Sequence, residues 1–300
     1  MDAFDRIGLV VHPRRELRRA LDVVREWAEH QGAEVVQLAV EGAERMVAPE
    51  GDPGECDLVM ALGGDGTTLV ALHTAAPLGR PVLGVACGSL GALTAVTADD
   101  LEDALDRISR GQWEPRRIPA MVAARDGAEP LMAVNDLVLV RAGAGQVIVE
   151  LTIDGQRYVR FAGDGLVAST PLGSTAYTLA AGGPMIAPGA EGVALTPLAP
   201  HGGVCPPVVA ATASRVEVLL EPGNGGARVE ADGQVRAVLE RLQEATFSLS
   251  VEPDFATLVS VGDEEPLVAG LRRRRIIVDS PRVLARDDRE AAARAAAARY

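Results

Sequence analysis

Two kinds of hydrophobic periodicity divide the chain, and this division constrains the fold more than any other feature of the sequence. Up to Trp113, short apolar runs such as 7–11 and 58–62 alternate with stretches whose apolar residues recur at helical spacing, as in 17–27. Strands that alternate with helices along a chain usually form a parallel sheet. The first part of the chain is therefore predicted to be an α/β domain with a parallel sheet.

The helical periodicity disappears after Trp113. Pro115 and Pro119 interrupt the chain, and the short apolar runs that follow are separated by turn dipeptides such as Asp154-Gly155. This pattern predicts a mainly β C-terminal domain. We expect an α/β domain at 1–115, a β-rich substrate domain at 116–258, and a segment at 259–300 that returns to the N-terminal domain and ends in a helical tail.

The composition argues against several classes of partner. The formal net charge of -13 is opposite to that of a nucleic-acid-binding surface, which needs clustered lysines and arginines. No apolar run reaches the ~18 residues of a membrane span, and the first residues are acidic where a signal peptide would be basic. Cys56, Cys87 and Cys205 lack metal-ligand spacing and indicate reduced thiols. We therefore expect a cytoplasmic protein with no nucleic-acid partner, no membrane partner and no metal site formed by its cysteines.

The strongest local motif is Gly63-Gly64-Asp65-Gly66-Thr67, which follows a buried apolar run and precedes a helical stretch. Glycines let phosphate oxygens approach the backbone, and the helix start offers unpaired N–H groups. The Asp65 carboxylate could accept a hydroxyl proton or hold Mg²⁺. A structural turn with an N-capping aspartate is the alternative interpretation of this motif taken alone.

Two further segments carry polar residues of the kind that a nucleotide contacts. Asn135-Asp136 stands at the start of a predicted strand, where both side chains can receive ribose hydroxyls, although a solvated turn is the better explanation of the pair taken alone. The stretch 163–184 is rich in glycine and hydroxyl residues and suits a flat ligand lying against the backbone. No Gly-x-x-x-x-Gly-Lys-Ser/Thr loop is present, so phosphate binding is expected to rest on backbone amides and metal.

These motifs, in this order and spacing, resemble the bacterial NAD kinases. The resemblance runs from Gly-Gly-Asp-Gly-Thr through Asn-Asp, Gly-Asp-Gly, Ser-Thr-Pro, Gly-Ser-Thr-Ala-Tyr and Gly-Gly-Pro to Asp232-Gly233-Gln234, and it covers about residues 5–275. The first motif also occurs in diacylglycerol, sphingosine and 6-phosphofructokinases. Gly-Ser-Thr-Ala-Tyr is much more specific to NAD kinases.

The resemblance implies an enzyme that phosphorylates the 2'-hydroxyl of the adenosine ribose of NAD, with ATP as phosphoryl donor and Mg²⁺ as cofactor. It implies a site between the two domains and a homodimer or homotetramer in which Asp164 faces the nicotinamide end, either in its own chain or in a neighbouring subunit. Asp65 would be the general base. The binding residues implied by the motifs are Gly63, Gly64, Gly66, Thr67, Asn135, Asp136, Asp164, Thr175, Ala176 and Tyr177.

Five features depart from the family's usual pattern, and each lacks a polar or aromatic group. Ala86 stands where the family normally has Asn, Ala92 where it has Phe, and Leu172 where it has Thr or Ser. Ala180 replaces a frequent Ser, and the stretch 201–207 lacks an Arg. Two alternatives therefore stay open at this point: a kinase of the same fold that acts on another nucleoside or sugar hydroxyl, and a catalytically silent module that senses NAD or NADP.

Overall fold

A computed structural model of the chain describes residues 4–40, 45–187, 189–262 and 267–297. Residues 1–263 form one compact unit and 264–300 a second. The elements of the N-terminal part alternate as the periodicity predicts. They are β1 (Arg6–Val11), α1 (Arg18–Gln31), β2 (Glu34–Leu38), β3 (Glu50–Gly51), β4 (Leu58–Gly63), α2 (Asp65–Ala75), β5 (Pro81–Ala86), β6 (Val96–Thr97) and α3 (Leu101–Ser109).

The parallel strands of this part lie in the order β3-β2-β1-β4-β5. β4 is buried along its whole length, as expected for a strand covered on both faces. α1 packs one apolar face, which includes Val24 and Trp27, and it ends at Gly32 in the left-handed conformation. The chain leaves β1 toward β2 and leaves β4 toward β5, so a crevice opens between the carboxyl ends of β1 and β4.

The part after residue 113 is mostly antiparallel β structure. Its elements are β7 (Glu114–Ala124), β8 (Leu131–Ala133), β9 (Asp136–Arg141), β10 (Val147–Ile153), β11 (Gln156–Gly163), β12 (Gly165–Ser169), α4 (Tyr177–Ala180), β13 (Val193–Leu198), β14 (Val208–Ala210), β15 (Val216–Glu221), β16 (Ala227–Ala231), β17 (Gln234–Leu239) and β18 (Ala245–Ser260). Six of these strands form a separate antiparallel sheet in the order β14-β13-β12-β9-β16-β17. The predicted fold class, an α/β part followed by a mainly β part, is confirmed.

β18 joins the two parts because its two halves pair with different strands. Its first half pairs antiparallel with β15, and its end pairs parallel with β5 through Thr257↔Pro81 and Leu258↔Val82. β7 runs antiparallel along both halves of β18. The chain thus returns to the sheet of the N-terminal part at the end of β18. The domain boundaries at residues 115 and 258 stay a prediction.

The second unit contains two helices, α5 (Leu267–Arg273) and α6 (Pro281–Ala297). Both terminal nitrogens of Arg272 donate to the carboxylate of Asp279, at 2.9 and 2.8 Å. The described end of the segment 259–300, for which a helical tail is predicted, is α6, and 298–300 lie outside the described residues. Among the helices of the described ranges, none is both long and apolar enough to cross a bilayer.

Candidate active site

The loop between β4 and α2 places Asp65 at the first position of a helix. Gly63 ends β4, Gly64 precedes α2 in extended conformation, and the helix runs from Asp65 to Ala75. In any α-helix the first N–H groups have no partner within the helix, so they face the space beyond the loop. A Cβ on Gly66 would have no atom within 4 Å. The protein therefore leaves open space at Gly66, directly beside Asp65.

The carboxylate of Asp65 is held by the loop that follows β5. Oδ2 accepts the backbone N–H of Ala92 and Oδ1 that of Leu93, both at 2.9 Å. Gly91 passes so close that a Cβ there would stand 1.9 Å from Oδ1. Each carboxylate oxygen retains acceptor capacity beyond one N–H. Asp65 is thus fixed in orientation and is still able to accept a proton or a hydroxyl.

The turn at Asp232 organises the segment that carries Asn135 and Asp136. Its Oδ1 accepts the N–H groups of Asn135 at 2.7 Å and Asp136 at 3.3 Å, and its Oδ2 accepts that of Val134 at 2.8 Å. The Asp232 side chain is only 3% exposed. A buried carboxylate with three backbone donors explains why an Asp-Gly turn nearly a hundred residues away belongs to this site.

Asp136 is a buried carboxylate beside a second one. Burial, then the nearby charge of Asp232 and, less strongly, that of Glu230 together raise the pKa of Asp136 to about 6. A hydrogen bond from the backbone N–H of Tyr177 acts in the opposite direction. The structure thus brings Asp136 and Tyr177 together, as the sequence predicts for one nucleotide pocket.

The segment around Tyr177 is tied to Asn135 by short contacts. The Thr170 N–H donates to the Asn135 carbonyl at 3.1 Å, and its hydroxyl donates to the Val134 carbonyl at 2.7 Å. A Cβ on Gly173 would stand 1.9 Å from the Asn135 carbonyl oxygen, so only glycine fits there. Tyr177 remains 43% exposed. An exposed aromatic ring on a well-anchored segment suits a flat base.

Thr175 and Ala176 occupy the turn just before Tyr177. The Thr175 hydroxyl donates to the Leu172 carbonyl at 3.2 Å, and Ala176 is exposed. Leu172, one of the departures, packs its side chain against the buried cluster that contains Leu72 and Val134. The apolar replacement at 172 therefore has a packing role in this chain.

The other departures lie in different surroundings. Ala86 is buried at the end of β5, and Ala180 is exposed at the end of α4. Ala92 is half-buried and contributes its N–H to Asp65. In the stretch 201–207, the Pro206 carbonyl accepts the Tyr158 hydroxyl at 3.1 Å. Among the replacements at 86, 92, 172 and 180, those at 92 and 180 lie outside the buried core.

Asp164 is not close to the other predicted residues within the chain. It precedes β12, whose first residue Gly165 pairs with Val140, whereas Ser169 at the far end pairs with Asp136. At ~3.3 Å per residue, Asp164 and Ser169 are about 16 Å apart along the strand. The Asp164 carboxylate accepts Arg141 Nε at 2.5 Å. The site formed by Asn135, Asp136 and Tyr177 is thus separate from Asp164 of the same chain.

The sequence also gave no indication of two further features at this site. His73 Nε2, on α2, forms a hydrogen bond of 2.7 Å with Asp232 Oδ2, and Arg15, in the loop after β1, donates through Nη1 to the Gly63 carbonyl at 3.1 Å. Within the described ranges, no group of three His, Cys, Asp or Glu side chains could hold a metal ion. A divalent cation would therefore depend on substrate phosphates and water for most of its ligands.

Comparison with known proteins agrees with this architecture. Residues 22–113 match the family model of the ATP-NAD kinase N-terminal domain, and 134–259 match that of the C-terminal domain. The NAD kinase of Chlorobium luteolum is 31% identical over 258 residues, which are 82% of this chain and 89% of that protein.

Two solved structures share the fold. Yeast NADH kinase complexed with NADH has a TM-score of 0.74 at 19% identity and covers 93% of this chain and 89% of its own. The NAD kinase from Archaeoglobus fulgidus in complex with ATP has a TM-score of 0.70 at 24% identity, with 91% and 100% covered. The chain therefore belongs to the NAD kinase family, whose members are phosphotransferases acting on a hydroxyl group.

Proposed function

We propose that the chain transfers the γ-phosphoryl group of ATP to the 2'-hydroxyl of the adenosine ribose of NAD, giving NADP and ADP. The observation that carries this proposal is the Asp65 carboxylate, fixed by two backbone N–H groups at the start of α2 beside the open space at Gly66. Family membership supports the same reaction. The Chlorobium luteolum relative is named an NAD kinase, and the Archaeoglobus fulgidus structure holds ATP.

Asp65 acts as the general base in this proposal. Its carboxylate takes the proton of the 2'-hydroxyl as the ribose oxygen attacks the γ-phosphorus, and the bond to the β-phosphate oxygen breaks to release ADP. A carboxylate within hydrogen-bond reach contributes roughly 10²- to 10⁴-fold to such a step. The glycines at 63, 64 and 66 and the free N–H groups of α2, including that of Thr67, bind phosphate oxygens.

Asn135, Asp136 and the segment Thr175-Ala176-Tyr177 form the pocket for the adenosine part of NAD. The support is their mutual contact: the Asp136 carboxylate accepts the Tyr177 N–H, and Asn135 is fixed by Asp232 and Thr170. Ionised Asp136 accepts ribose hydroxyls, and the exposed Tyr177 ring contacts the adenine face.

Mg²⁺ is proposed as the cofactor, because one carboxylate at the glycine loop together with phosphates and water matches the way this ion is usually held. Asp65 is the side chain that would face it. When bound, the ion neutralises charge on the transferring phosphoryl group. Three unpaired cysteines support a cytoplasmic location.

We propose a homo-oligomer on the basis of the family resemblance, which places Asp164 at the nicotinamide end of the substrate. Asp164 lies about 16 Å along the strand from the adenosine pocket of its own chain, and in the proposed assembly the Asp164 of a second copy faces the nicotinamide end of NAD. Sedimentation should therefore show a dimer or tetramer at micromolar concentration. A monomer under these conditions would contradict the proposal.

The reaction is tested by incubating the protein with ATP, Mg²⁺ and, in separate tubes, NAD, NADH, nucleosides and sugars. We expect NAD to gain the mass of one phosphoryl group at its adenosine 2' position. Phosphorylation of a nucleoside or sugar in preference to NAD would favour the second hypothesis, and binding of NAD without turnover would favour the sensing module.

A further inference from the structure

Three arginines surround the carboxyl end of β1. His12 follows the strand, and its Nδ1 accepts the backbone N–H groups of Arg14 and Arg15, both at 3.1 Å. Arg45 Nη1 donates to the Arg15 carbonyl at 2.6 Å. The loop backbone is thus held from two sides, and it keeps the three guanidinium-bearing residues together.

This loop stands opposite the glycine loop across the crevice between β1 and β4. Arg15 Nη1 donates to the Gly63 carbonyl at 3.1 Å. The same nitrogen lies 3.2 Å from where a Cβ on Gly64 would stand and 2.9 Å from where one on Gly88 would stand. In open α/β sheets, ligands bind in the crevice at which strand order reverses. Arg15 therefore reaches the place where the sheet topology predicts a ligand.

Among the described residues, the guanidinium groups of Arg14, Arg15 and Arg45 form no ion pair with a carboxylate. The nearby Arg19, by contrast, pairs with Asp99 at 2.7 Å. Burial lowers the pKa of His12, and the charge of the three arginines lowers it further. Glu16 interacts with Arg45 through space only. In a chain of net charge -13, such a local positive field attracts an anion.

We propose that Arg15, assisted by Arg14 and Arg45, binds the polyphosphate chain of the phosphoryl donor and holds it against the glycine loop; the proposal rests on the kinase function proposed above. Guanidinium carries five N–H donors, and the protein contacts of Arg15 use one of them. The remaining donors can bind phosphate oxygens in pairs. A fixed positive group here also stabilises charge that develops on the transferring phosphoryl group.

This arrangement replaces part of what a P-loop lysine supplies. Backbone amides and metal were expected to bind phosphate without a basic side chain, and Arg15 adds one from a loop distant in sequence. Because guanidinium recognises phosphate and not the base, Arg15 should affect every donor that has a triphosphate group. It should leave binding of NAD nearly unchanged.

The experiment measures binding and turnover of the full chain with Mg²⁺, using ATP and inorganic tripolyphosphate as probes in a calorimetric titration. We expect Arg15→Gln to lower the affinity for both ligands at least ten-fold and to raise KM for ATP to a similar extent. KM for NAD should change less than two-fold. Arg15→Lys keeps the positive charge but loses the paired N–H donors of guanidinium. Its affinity for ATP and tripolyphosphate should therefore lie between those of wild type and Arg15→Gln. The control is Arg110→Gln, because Arg110 pairs with Asp106 on the surface of α3 and should behave as wild type.

Unchanged affinity for ATP and tripolyphosphate in folded Arg15→Gln overturns the proposal. Should loss of the Gly63 contact unfold that variant, Arg14→Gln supplies the test, since the Arg14 side chain makes no described hydrogen bond or ion pair. Arg14→Gln should weaken binding of tripolyphosphate about three-fold and reduce the salt dependence of that binding. If neither change is observed, the proposal is overturned as well. A wild-type chain that binds tripolyphosphate through Arg15 but does not phosphorylate NAD would refute the proposed function and leave this assignment standing.

Discussion

His73 Nε2 lies 2.7 Å from Asp232 Oδ2, and this hydrogen bond joins the helix that begins with Asp65 to the segment that carries Asn135 and Asp136. His73 lies eight residues after Asp65 on α2, or about 12 Å along the helix axis. Its ring also packs on Phe255, with centroids 5.6 Å apart. The pair therefore links the glycine loop to the adenosine pocket through side chains 159 residues apart in sequence.

His73→Ala should weaken NAD binding in the proposed adenosine pocket without unfolding the protein. Loss of one hydrogen bond to a charged group costs about 1.5–3 kcal/mol, and the 22% exposure of His73 places the effect at the lower end. We expect KM for NAD to rise several-fold with KM for ATP nearly constant. His30→Ala, an exposed histidine on α1, is the control. Equal changes in both Michaelis constants would argue against a positioning role.

Asp136 should make both stability and NAD binding depend on pH near 6. Below about pH 4 Asp136 is protonated in the folded and unfolded states alike, so its ionisation has no effect on stability there. Between pH 4 and 6 the folded state keeps a proton that the unfolded state releases, so stability falls as pH rises, by up to about 3 kcal/mol. Urea unfolding should show Asp136→Asn gaining stability relative to wild type over this interval, and parallel profiles would contradict the raised pKa.

The same ionisation predicts a change in substrate binding. Only the ionised carboxylate is a full acceptor for ribose hydroxyls, so KM for NAD should rise as pH falls through about 6. The Asn variant should lack this dependence. Measuring KM for NAD from pH 5 to 8 in both proteins decides the point, provided that each is folded across the range.

Gly66→Ala tests whether glycine is needed at position 66 for ligand binding or for the stability of the fold. Nothing lies within 4 Å of the new methyl group, and alanine is favoured over glycine in helices by roughly 0.5–1 kcal/mol. Stability should therefore hold or rise slightly, while kcat/KM for ATP falls at least ten-fold. Gly91→Ala is the contrasting variant, because its methyl group would collide with Asp65 Oδ1. An active Gly66→Ala would show that phosphate does not approach the backbone there.

Restoring two departures should tighten NAD binding. Ala92→Phe adds a ring worth about 0.5–1.5 kcal/mol beyond area burial, and Ala180→Ser adds a hydrogen bond worth about as much. The double variant should lower KM for NAD by roughly 5- to 140-fold, at about 1.4 kcal/mol per tenfold. Leu172 is left in place because it packs on the core. No change in KM for NAD would remove positions 92 and 180 from the pocket.

The local parts of the fold and site could be predicted from the sequence. The buried run of β4, the glycine loop and the helix after it lie next to one another in the chain, so periodicity and turn chemistry predict them. The hydrogen bonds from the N–H groups of Ala92 and Leu93 to Asp65, and from that of Asn135 to Asp232, cannot be predicted in this way. They join residues that only tertiary packing brings together, and a backbone N–H donor has no signature in sequence.

Arg15 and Asp164 illustrate the same limit. Arg15 cannot be predicted as a site residue from sequence because Pro-Arg-Arg after a strand is ordinary surface composition, and only the strand order places it beside Gly63. Asp164 matched a family motif, yet the antiparallel register puts it at the far end of β12 from Asp136. Motifs identify residue types, whereas register decides which of them meet.

The most direct test of the account is the turnover of Asp65→Asn with ATP, Mg²⁺ and NAD. Asparagine keeps the shape of the side chain and one acceptor for the N–H groups of Ala92 and Leu93, but it has no basicity. We expect unfolding free energy within about 2 kcal/mol of wild type, nearly unchanged affinity for NAD and ATP, and kcat reduced by 10²- to 10⁴-fold, the range for loss of a general base. Turnover within a few-fold of wild type in the folded variant would contradict the assignment of Asp65 as the group that activates the ribose hydroxyl.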